Sequence, residues 1–198
     1  MYRPGPPVRC GWVTDDPLYV AYHDDEWGVP ERRDGRLFEM LILEGAQAGL
    51  SWITILKKRE GYRRAFHNFD AEKVAAMTEA DQARLREDAS IVRNRLKIKA
   101  AVTNARAYLD LRSGRSSFSD FLWDFVDGEP VQNAWRRRED VPASTPVSDV
   151  MSKALKREGF TFVGSTICYA FMQATGMVND HTTDCFRYAE CARLAGKA

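Results

Sequence analysis

The sequence predicts an all-α fold. Apolar residues recur at three- and four-residue spacing along most of the chain and seldom alternate, which is the period of a helix and not of a strand. The Ser, Thr and Asp residues that begin helices, and the glycines that end them, stand at the boundaries of these periodic segments. The sequence contains no internal repeat and no low-complexity tract, so we expect a globular helical protein with almost no sheet.

The first helices follow an irregular N-terminal segment. The first thirty residues are rich in Pro, Gly and aromatic residues, and we predict coil there, packed on a core. A helix is predicted to start after Asp34 and to end at Gly49, because Gly tolerates the left-handed geometry that ends helices. Ser51 is the expected N-cap of the next helix, although Gly61 within that helix costs about 1 kcal/mol relative to Ala.

Two short helices are predicted next. Asp70 caps one that reaches about Met77. Thr78 and Asp81 resemble a capping box that opens another, which runs through Arg86.

A longer helix is predicted from Asn94 to Leu111, after the tight connection DASIVR, and Gly114 ends it. Residues 118–126 form another short helix. Residues 128–147 contain three prolines and a run of three arginines, which predicts a long surface loop and a poor place for a fixed site.

The last two helices are predicted to open at Ser148 and Ser165 and to end at Gly159 and Gly176. A C-terminal tail follows them.

Length and composition bound the class of protein. The chain has 198 residues, of which 44% are hydrophobic and 29% charged, so residues 1–198 are expected to form one domain, or two intimate lobes, and the sequence leaves the assignment of the tail at 186–198 open. The net charge of +1 excludes a strongly basic nucleic-acid binder, and any DNA contact must depend on local charge. No stretch of 18 apolar residues and no apolar leader is present, so we predict a cytoplasmic protein without membrane contact. We also expect a monomer.

Cysteine and histidine residues suggest a metal site. Four cysteines in a chain without an export signal are expected to be thiols or metal ligands. Cys10 and His23 lie near the N-terminus, and His181 and Cys185 follow the spacing H-x3-C near the other end. Two thiolates and two imidazoles form a closed structural zinc shell. The spacing alone leaves open an alternative, in which these are a buried cysteine and structural histidines.

Glu44 stands on the apolar face of a predicted helix. Together with Leu37, Leu41 and Ala48 it follows the i, i+4, i+7, i+11 pattern that should face the core. A buried carboxylate is normally paired, protonated or functional. The sequence leaves open whether Glu44 pairs with an arginine, lies at the rim of the core, or serves a site.

Aromatic residues with polar groups surround this helix in the sequence. Most such clusters are core, but a flipped nucleobase is also bound by stacking between rings and by hydrogen bonds to its edge. A methylated, cationic purine would gain further from cation–π contact and from a nearby carboxylate. The candidates are Trp12, Tyr19, Tyr22, Trp27 and Trp52.

Two basic stretches are candidates for contact with a polyanion. Residues 84–99 hold six basic residues against two acidic ones around a predicted helical hairpin, and residues 57–64 hold five basic residues. Such a hairpin can direct backbone N–H groups at phosphates, in a contact that weakens with salt. The alternative for each stretch is a solvated charged face.

Four long blocks resemble the 3-methyladenine DNA glycosylase I family of helix-hairpin-helix repair glycosylases. The resemblance extends from Cys10 to Cys185, and the blocks are CGWVTDDPLYVAYHDDEWGVP, FEMLILEGAQAGLSWITILKKRE, NRLKIKA and GFTFVGSTICYAFMQATGMVNDH. It implies an all-α helix-hairpin-helix glycosylase fold with one structural Zn²⁺ per chain, which ties the N- and C-terminal segments together. The implied ligands are Cys10, His23, His181 and Cys185.

The resemblance also implies roles for the site residues. Glu44 and Tyr22 would be catalytic, and Trp52 would bind the base with Trp12, Tyr19 and Trp27. Leu50, in a turn with Gly49, would be a wedge that fills the stack when the damaged nucleotide leaves. The hairpin would lie around residues 88–93. It departs from the family at Ser90, which is often Gly there, so we expect a different turn backbone.

The implied activity is base-excision repair. The enzyme would flip 3-methyladenine out of alkylated double-stranded DNA, hydrolyse its N-glycosidic bond, and leave an abasic site without strand cleavage. Alkylation gives the purine a positive charge, so the base is already a good leaving group, and Glu44 would also stabilise charge on the sugar. Two alternatives remain: a zinc-containing module that binds damaged DNA without cutting it, and a zinc hydrolase in which Glu44 activates a metal-bound water.

Overall fold

The computed structural model describes residues 7–114 and 117–195 and confirms a mostly helical fold. Over these two ranges the α-helices number ten. Their bounds are α1 Pro17–Asp25, α2 Asp34–Gln47, α3 Trp52–Ala65, α4 Ala71–Ala75, α5 Glu79–Leu85, α6 Arg95–Gly114, α7 Phe118–Trp123, α8 Pro146–Arg157, α9 Ser165–Ala174 and α10 Phe186–Ala195.

In the described residues, the only sheet consists of two short strands. The strands β1 (Val131–Gln132) and β2 (Val178–Asn179) pair in parallel, with Val131 opposite Val178. Each strand has only two paired residues, so the prediction of almost no sheet is confirmed for the described residues.

The prediction of coil over the first thirty residues is wrong for α1. The side chain of Asp16 accepts a hydrogen bond from the amide of Leu18, and Pro17 stands at the first helical position, where its missing N–H costs nothing. The Asp-Pro pair is therefore a helix start that resembles a loop signal. Residues 1–6 of the same prediction lie outside the described residues. Helix α1 buries Tyr22 and His23, two of the candidate site residues.

Helix α2 ends as predicted, and α3 is continuous. Gly49 has a φ of +77°, in the left-handed region that favours glycine. Ser51 stands at the N-cap position of α3, but its hydroxyl pairs with the hydroxyl of Thr54 and not with the backbone. Gly61 lies inside α3 because the carbonyl of Ser90 packs there, and a Cβ on Gly61 would come within 2.2 Å of that oxygen.

The predicted caps of α4 and α5 are confirmed, and α6 starts within one residue of its predicted start. Asp70 accepts from the amide of Lys73, and Thr78 and Asp81 form a complete capping box. The side chain of Asn94 accepts from two amides in the first turn of α6. Ser90 is not among the described residues with a positive φ, and the predicted difference from the family's turn stays a prediction.

The C-terminal half corrects two caps and the predicted tail, because Phe186–Ala195 of that tail form α10. Helix α8 begins at Pro146 with Thr145 as its N-cap, and Ser148 is the third helical residue of that capping box. Helix α9 begins at Ser165 itself, after Gly164. The predicted helix over residues 118–126 is α7 followed by one 3-10 turn.

Helix α2 is central to the core. It contacts α3, α6, α7 and α9, and its side chains Leu37, Leu41 and Leu43 are completely buried. The buried apolar side chains from Cys10 to Cys185 form one contiguous cluster. Glu44 therefore lies on a helix that is enclosed on several sides. Within residues 7–114 and 117–195, no helix is both long and apolar enough to cross a membrane.

Candidate active site and metal centre

A cavity of about 340 Å³ contains all the predicted base-binding and catalytic side chains. A volume of this size is in the range of ordinary small-ligand sites. The cavity is lined by six residues that the sequence nominated, which are Trp12, Tyr19, Tyr22, Trp27, Glu44 and Trp52.

Five aromatic rings are among the side chains that line this cavity. The rings of Trp12 and Tyr19 have centroids 5.0 Å apart, and those of Trp12 and Trp27 are also 5.0 Å apart, nearly perpendicular. The rings of Tyr22 and Trp52 lie 5.4 Å apart. Tyr19 and Tyr22 are three residues apart on α1, so they occupy the same face of that helix. The result is a cavity with faces on which a planar base can stack.

Glu44 is buried in this cavity without a partner. The side chain is on the last turns of α2, and the residue is 3% exposed. Its Oε2 atom has no hydrogen-bond partner in the described part of the chain. Burial raises the pKa of the carboxyl group to about 8, because the charged form loses its solvation. The alternative of a salt bridge to an arginine is wrong for the described residues.

Trp52 and Tyr22 add polar groups beside Glu44. The indole Nε1 of Trp52 is also buried and lacks a hydrogen-bond partner in the described residues. Burial raises the pKa of the Tyr22 hydroxyl well above its ordinary value, and the charge of Glu44 raises it further. Tyr22 therefore stays a neutral hydroxyl. Buried polar atoms without partners are uncommon in native proteins, and two in one cavity point to a ligand that supplies the missing bonds.

The predicted surface loop contributes to the cavity, so the prediction that it is a poor place for a site is wrong. Arg138, Val141 and Pro142 of this loop line the cavity. Sequence reasoning also missed Gln47, although it follows Glu44 by three residues on the same face of α2. The other lining residues that it missed are Gly11, Ala170, Gln173, Asp180 and Thr182.

Asp180 explains why the loop has a fixed position. Its buried carboxylate accepts hydrogen bonds from Asn133 (2.6 Å) and Trp135 (2.8 Å) of the loop. It also accepts from Tyr169 (2.7 Å) and Gln173 (2.8 Å) of α9. Four donors around one carboxylate attach the loop to the helical core. The only sequence signal was a polar side chain beside a predicted metal ligand, which could not reveal these partners.

Cys10, His23, His181 and Cys185 form one buried cluster, in which the potential ligand atoms all lie within 4.8 Å of one another. The Sγ of Cys10 is 3.4 Å from Nδ1 of His181, and the Sγ of Cys185 is 3.4 Å from Nε2 of His23. The four residues can hold a metal ion.

Neighbouring groups orient both imidazoles toward the cluster. Nδ1 of His23 lies 2.7 Å from a carboxylate oxygen of Asp24, and Arg9 in turn binds that carboxylate. Nε2 of His181 lies 3.0 Å from the carbonyl oxygen of Trp27. Such partners hold the tautomer that leaves the other ring nitrogen free for a metal. The donor set and these partners fit a tetrahedral ion with two thiolate ligands.

The cluster supports the aromatic wall of the cavity. The ring of His181 lies 4.6 Å from that of Trp27, and the ring of His23 lies 5.3 Å from that of Trp12. Glu44 is not a member of the cluster. The cluster and the cavity share Cys10 but not Glu44, which argues against a hydrolase in which Glu44 activates a metal-bound water.

The sequence matches a known family over most of its length. A profile of the methyladenine glycosylase family matches residues 12–188. The chain belongs to this family.

Relatives of this methyladenine glycosylase agree with that assignment. The chain is 58% identical over 180 residues to DNA-3-methyladenine glycosylase 1 of Escherichia coli (strain K12), which covers 91% of this chain and 96% of that protein. A crystal structure of 3-methyladenine DNA glycosylase I superposes with a TM-score of 0.89 at 58% identity, over 90% of this chain and 98% of that one. The 3-methyladenine DNA glycosylase I of Staphylococcus aureus, solved to explain 3-methyladenine recognition, gives a TM-score of 0.87 at 41% identity, over 90% and 95% of the two chains.

Family membership decides between the function classes. The chain is a glycosylase, an enzyme that hydrolyses N-glycosyl bonds. The alternative of a module that binds without cutting is therefore wrong.

Gly49 and Leu50 lie outside the cavity of this glycosylase. They follow the end of α2, in the turn that joins α2 to α3. Leu50 is 40% exposed, as Leu18 (42%) and Leu96 (56%) also are. The structure thus places the predicted wedge on the surface, six residues after Glu44 in the chain.

The two basic stretches differ in how much of their charge is free. In residues 57–64, Lys57 pairs with Asp16, and Arg59 and Arg63 both pair with the buried Glu39. In residues 84–99, Arg84 pairs with Asp81. Over the described ranges, five cations of the second stretch form no ion pair, and these are Arg86, Arg93, Arg95, Lys97 and Lys99. The local charge that remains available lies mainly around the predicted hairpin.

Proposed function

We propose that this methyladenine glycosylase hydrolyses the N-glycosidic bond of 3-methyladenine in alkylated double-stranded DNA. The products are free 3-methyladenine and an abasic site in the strand, as in base-excision repair. The names of the relatives support this substrate. The single observation that carries the proposal is the unpartnered carboxyl group of Glu44 inside an aromatic cavity.

The cavity favours a purine that carries a positive charge. A cation beside Glu44 replaces part of the solvation that its carboxylate lost, and it gains cation–π contact with the surrounding rings. An undamaged adenine is neutral and gains neither interaction. The unpaired acceptor of Glu44 and the unpaired donor of Trp52 can bond to the edge of the base, while the rings stack on its face. Selectivity thus follows from the charge that the damage creates.

The proposed chemistry is hydrolysis through a cationic sugar. Because the methylated base leaves as a neutral molecule, the bond needs little help from an acid. The carboxylate of Glu44 stabilises the oxocarbenium-like sugar as water attacks, and Tyr22 positions the base. Among the described residues that line the cavity there is no lysine, which supports simple hydrolysis without an amine nucleophile or strand cleavage.

The target base reaches the cavity by flipping out of the duplex. Leu50, on its turn with Gly49, then fills the gap in the stack and offsets an unstacking cost of a few kcal/mol. The connection at residues 88–93 acts as the hairpin of a helix-hairpin-helix motif and binds phosphates with the free cations near it. The exposure of Leu50 and the unpaired cations support this arrangement.

The Cys/His cluster holds one structural Zn²⁺, which ties the segment after residue 7 to the segment before α10. Two thiolates and two neutral imidazoles balance the charge of the ion and leave no position for a catalytic water. We further propose that residues 1–198 form one domain, which acts as a monomer in the cytoplasm. The contiguous core supports a single domain.

Incubation of the protein with methylated duplex DNA tests the proposal. We expect release of 3-methyladenine, identified by mass, with an abasic strand that breaks only after alkali treatment. Release of no base from DNA that contains 3-methyladenine would overturn the proposal, and immediate strand breakage would overturn the hydrolytic mechanism.

A further inference from the structure

The ammonium group of Lys97 caps the C-terminal end of α2. Its Nζ donates hydrogen bonds to the carbonyl oxygens of Ala46 (2.8 Å) and Ala48 (2.6 Å). The last carbonyls of a helix have no partner within the helix, and a cation there also interacts favourably with the helix dipole. Lys97 lies on α6, so this contact joins the helix after the proposed hairpin to the end of α2.

The segment that Lys97 caps contains both the proposed catalytic residue and the proposed wedge. Glu44 and Gln47 face the cavity from the last turn of α2, and Leu50 is exposed on the turn that follows. Within the turn, the amide of Leu50 donates to the carbonyl of Gln47 at 2.6 Å. Gly49 has a positive φ and nothing within 4 Å of its Cβ position, so packing around this residue does not fix the turn. The hydrogen bonds from Lys97 supply a contact from outside the turn.

The Lys97 side chain is partly buried where it makes this contact. The residue is half-buried, while its helix neighbours Leu96 and Lys99 are exposed. Burial lowers the pKa of the Lys97 ammonium group, since the charged form loses solvation. A basic residue that served only as a phosphate contact would extend into water, as Lys99 does.

We propose that Lys97 is a positioning residue that fixes the turn at residues 48–51 relative to α6, so that Leu50 occupies the DNA stack while Glu44 holds the extruded base. This inference rests on the proposed function, because it assigns a role to the wedge. In its absence the turn moves about Gly49, and Leu50 fills the gap only part of the time. The flipped state is then less populated, while the cavity itself is unchanged.

The Lys97→Met variant of the whole protein tests this inference. Methionine retains an apolar stem of similar length and removes the donor. The matched control is Lys99→Met, which removes the same charge two positions away on the same helix. The Lys97→Arg variant restores a cation with several donors. Three quantities are measured for each: the kcat for excision from methylated duplex DNA, the Kd for free 3-methyladenine, and the fluorescence of 2-aminopurine beside an abasic-site analogue.

We expect Lys97→Met to lower kcat about tenfold or more and to reduce the 2-aminopurine signal of unstacking, with the Kd for free 3-methyladenine changed less than twofold. Lys97→Arg should recover most of both losses, and Lys99→Met should affect only the KM for DNA. Equal effects of Lys97→Met and Lys99→Met would overturn the inference, and so would a loss of free-base binding that accompanies the loss of kcat. If the wild-type protein released no 3-methyladenine, the proposed function would fail, and the unstacking signal would still test the role of Lys97.

Discussion

The carboxyl group of Glu44 and the indole N–H of Trp52 line the same cavity, and neither has a hydrogen-bond partner in the described residues. One group is an acceptor and the other is a donor. Leaving both unsatisfied costs about 1–3 kcal/mol each, so the fold retains an arrangement that destabilises the empty protein. Such an arrangement is expected in a binding site, because a ligand with a donor and an acceptor on one edge can bond to both groups.

The first prediction concerns stability. Glu44→Gln removes the titration of a buried carboxyl group whose pKa is raised from 4.5 to about 8. A raised pKa means that the native state holds the proton more tightly, so its contribution to stability is lost as pH rises from the unfolded toward the folded pKa. The free energy of unfolding of Glu44→Gln should therefore gain about 3 kcal/mol relative to wild type between about pH 5.5 and pH 8. Denaturant unfolding at both pH values measures it, and a constant difference would contradict the burial of an unpaired acid.

The second prediction separates the donor of Trp52 from its ring. Trp52→Phe loses packing but breaks no hydrogen bond within the protein, so it should cost less stability than loss of a bonded indole, and it should weaken binding of 3-methyladenine by about fivefold, the value of one hydrogen bond. The contrasting variant is Trp123→Phe, whose indole donates to the carbonyl of Glu31. It should lose stability and retain affinity. Calorimetric titration and thermal melting test both, and unchanged affinity of Trp52→Phe would exclude the indole N–H as a ligand contact.

The third prediction concerns the metal. Elemental analysis should find one zinc per chain in the wild type and none in Cys185→Ala. Because Trp12 and Trp27 pack on the two imidazoles, loss of the ion should also change tryptophan fluorescence and weaken base binding. Cys168→Ala is the control, since Cys168 is buried in α9 outside the cluster. A Cys185→Ala protein that retains zinc would contradict the ligand assignment.

The fourth prediction concerns the loop over the cavity. Asp180→Asn replaces an acceptor of four hydrogen bonds by a side chain that can accept fewer, so the loop should detach from α9 more often. Trypsin should then cleave faster in the arginine run at residues 136–138. Asp184→Asn, at an exposed position four residues later, is the control. Equal cleavage of the two variants would show that Asp180 does not anchor the loop.

The sequence predicts most of the helices and the burial of Glu44. The period of the apolar residues placed Glu44 on the buried face of α2, and cap residues located α2 through α6 within a few positions. Helix α1 was missed, because Asp16-Pro17 is equally typical of a turn and of a helix start. Local signals cannot distinguish these, since the difference lies in the packing of Tyr22 and His23 on distant residues.

Long-range contacts account for the other errors. Arg138 reaches the cavity only because Asp180, far along the chain, holds the loop through Asn133 and Trp135. In the same way, Arg59 and Arg63 are basic in the sequence but are neutralised by Glu39 of another helix. Spacing along the chain carries no information on such partners. The resemblance to a family supplied the metal ligands as a set, and the structure brings those four residues together.

The central claim is that an ionised Glu44 selects a cationic purine, and the pH dependence of excision tests it most directly. We expect kcat/KM on methylated duplex DNA to rise with pH through an apparent pKa of about 8, because only the ionised carboxylate attracts the charged base. In Glu44→Gln, kcat/KM should fall by about 100-fold or more and lose this rise. A profile of the same shape and height in the variant would contradict the claim.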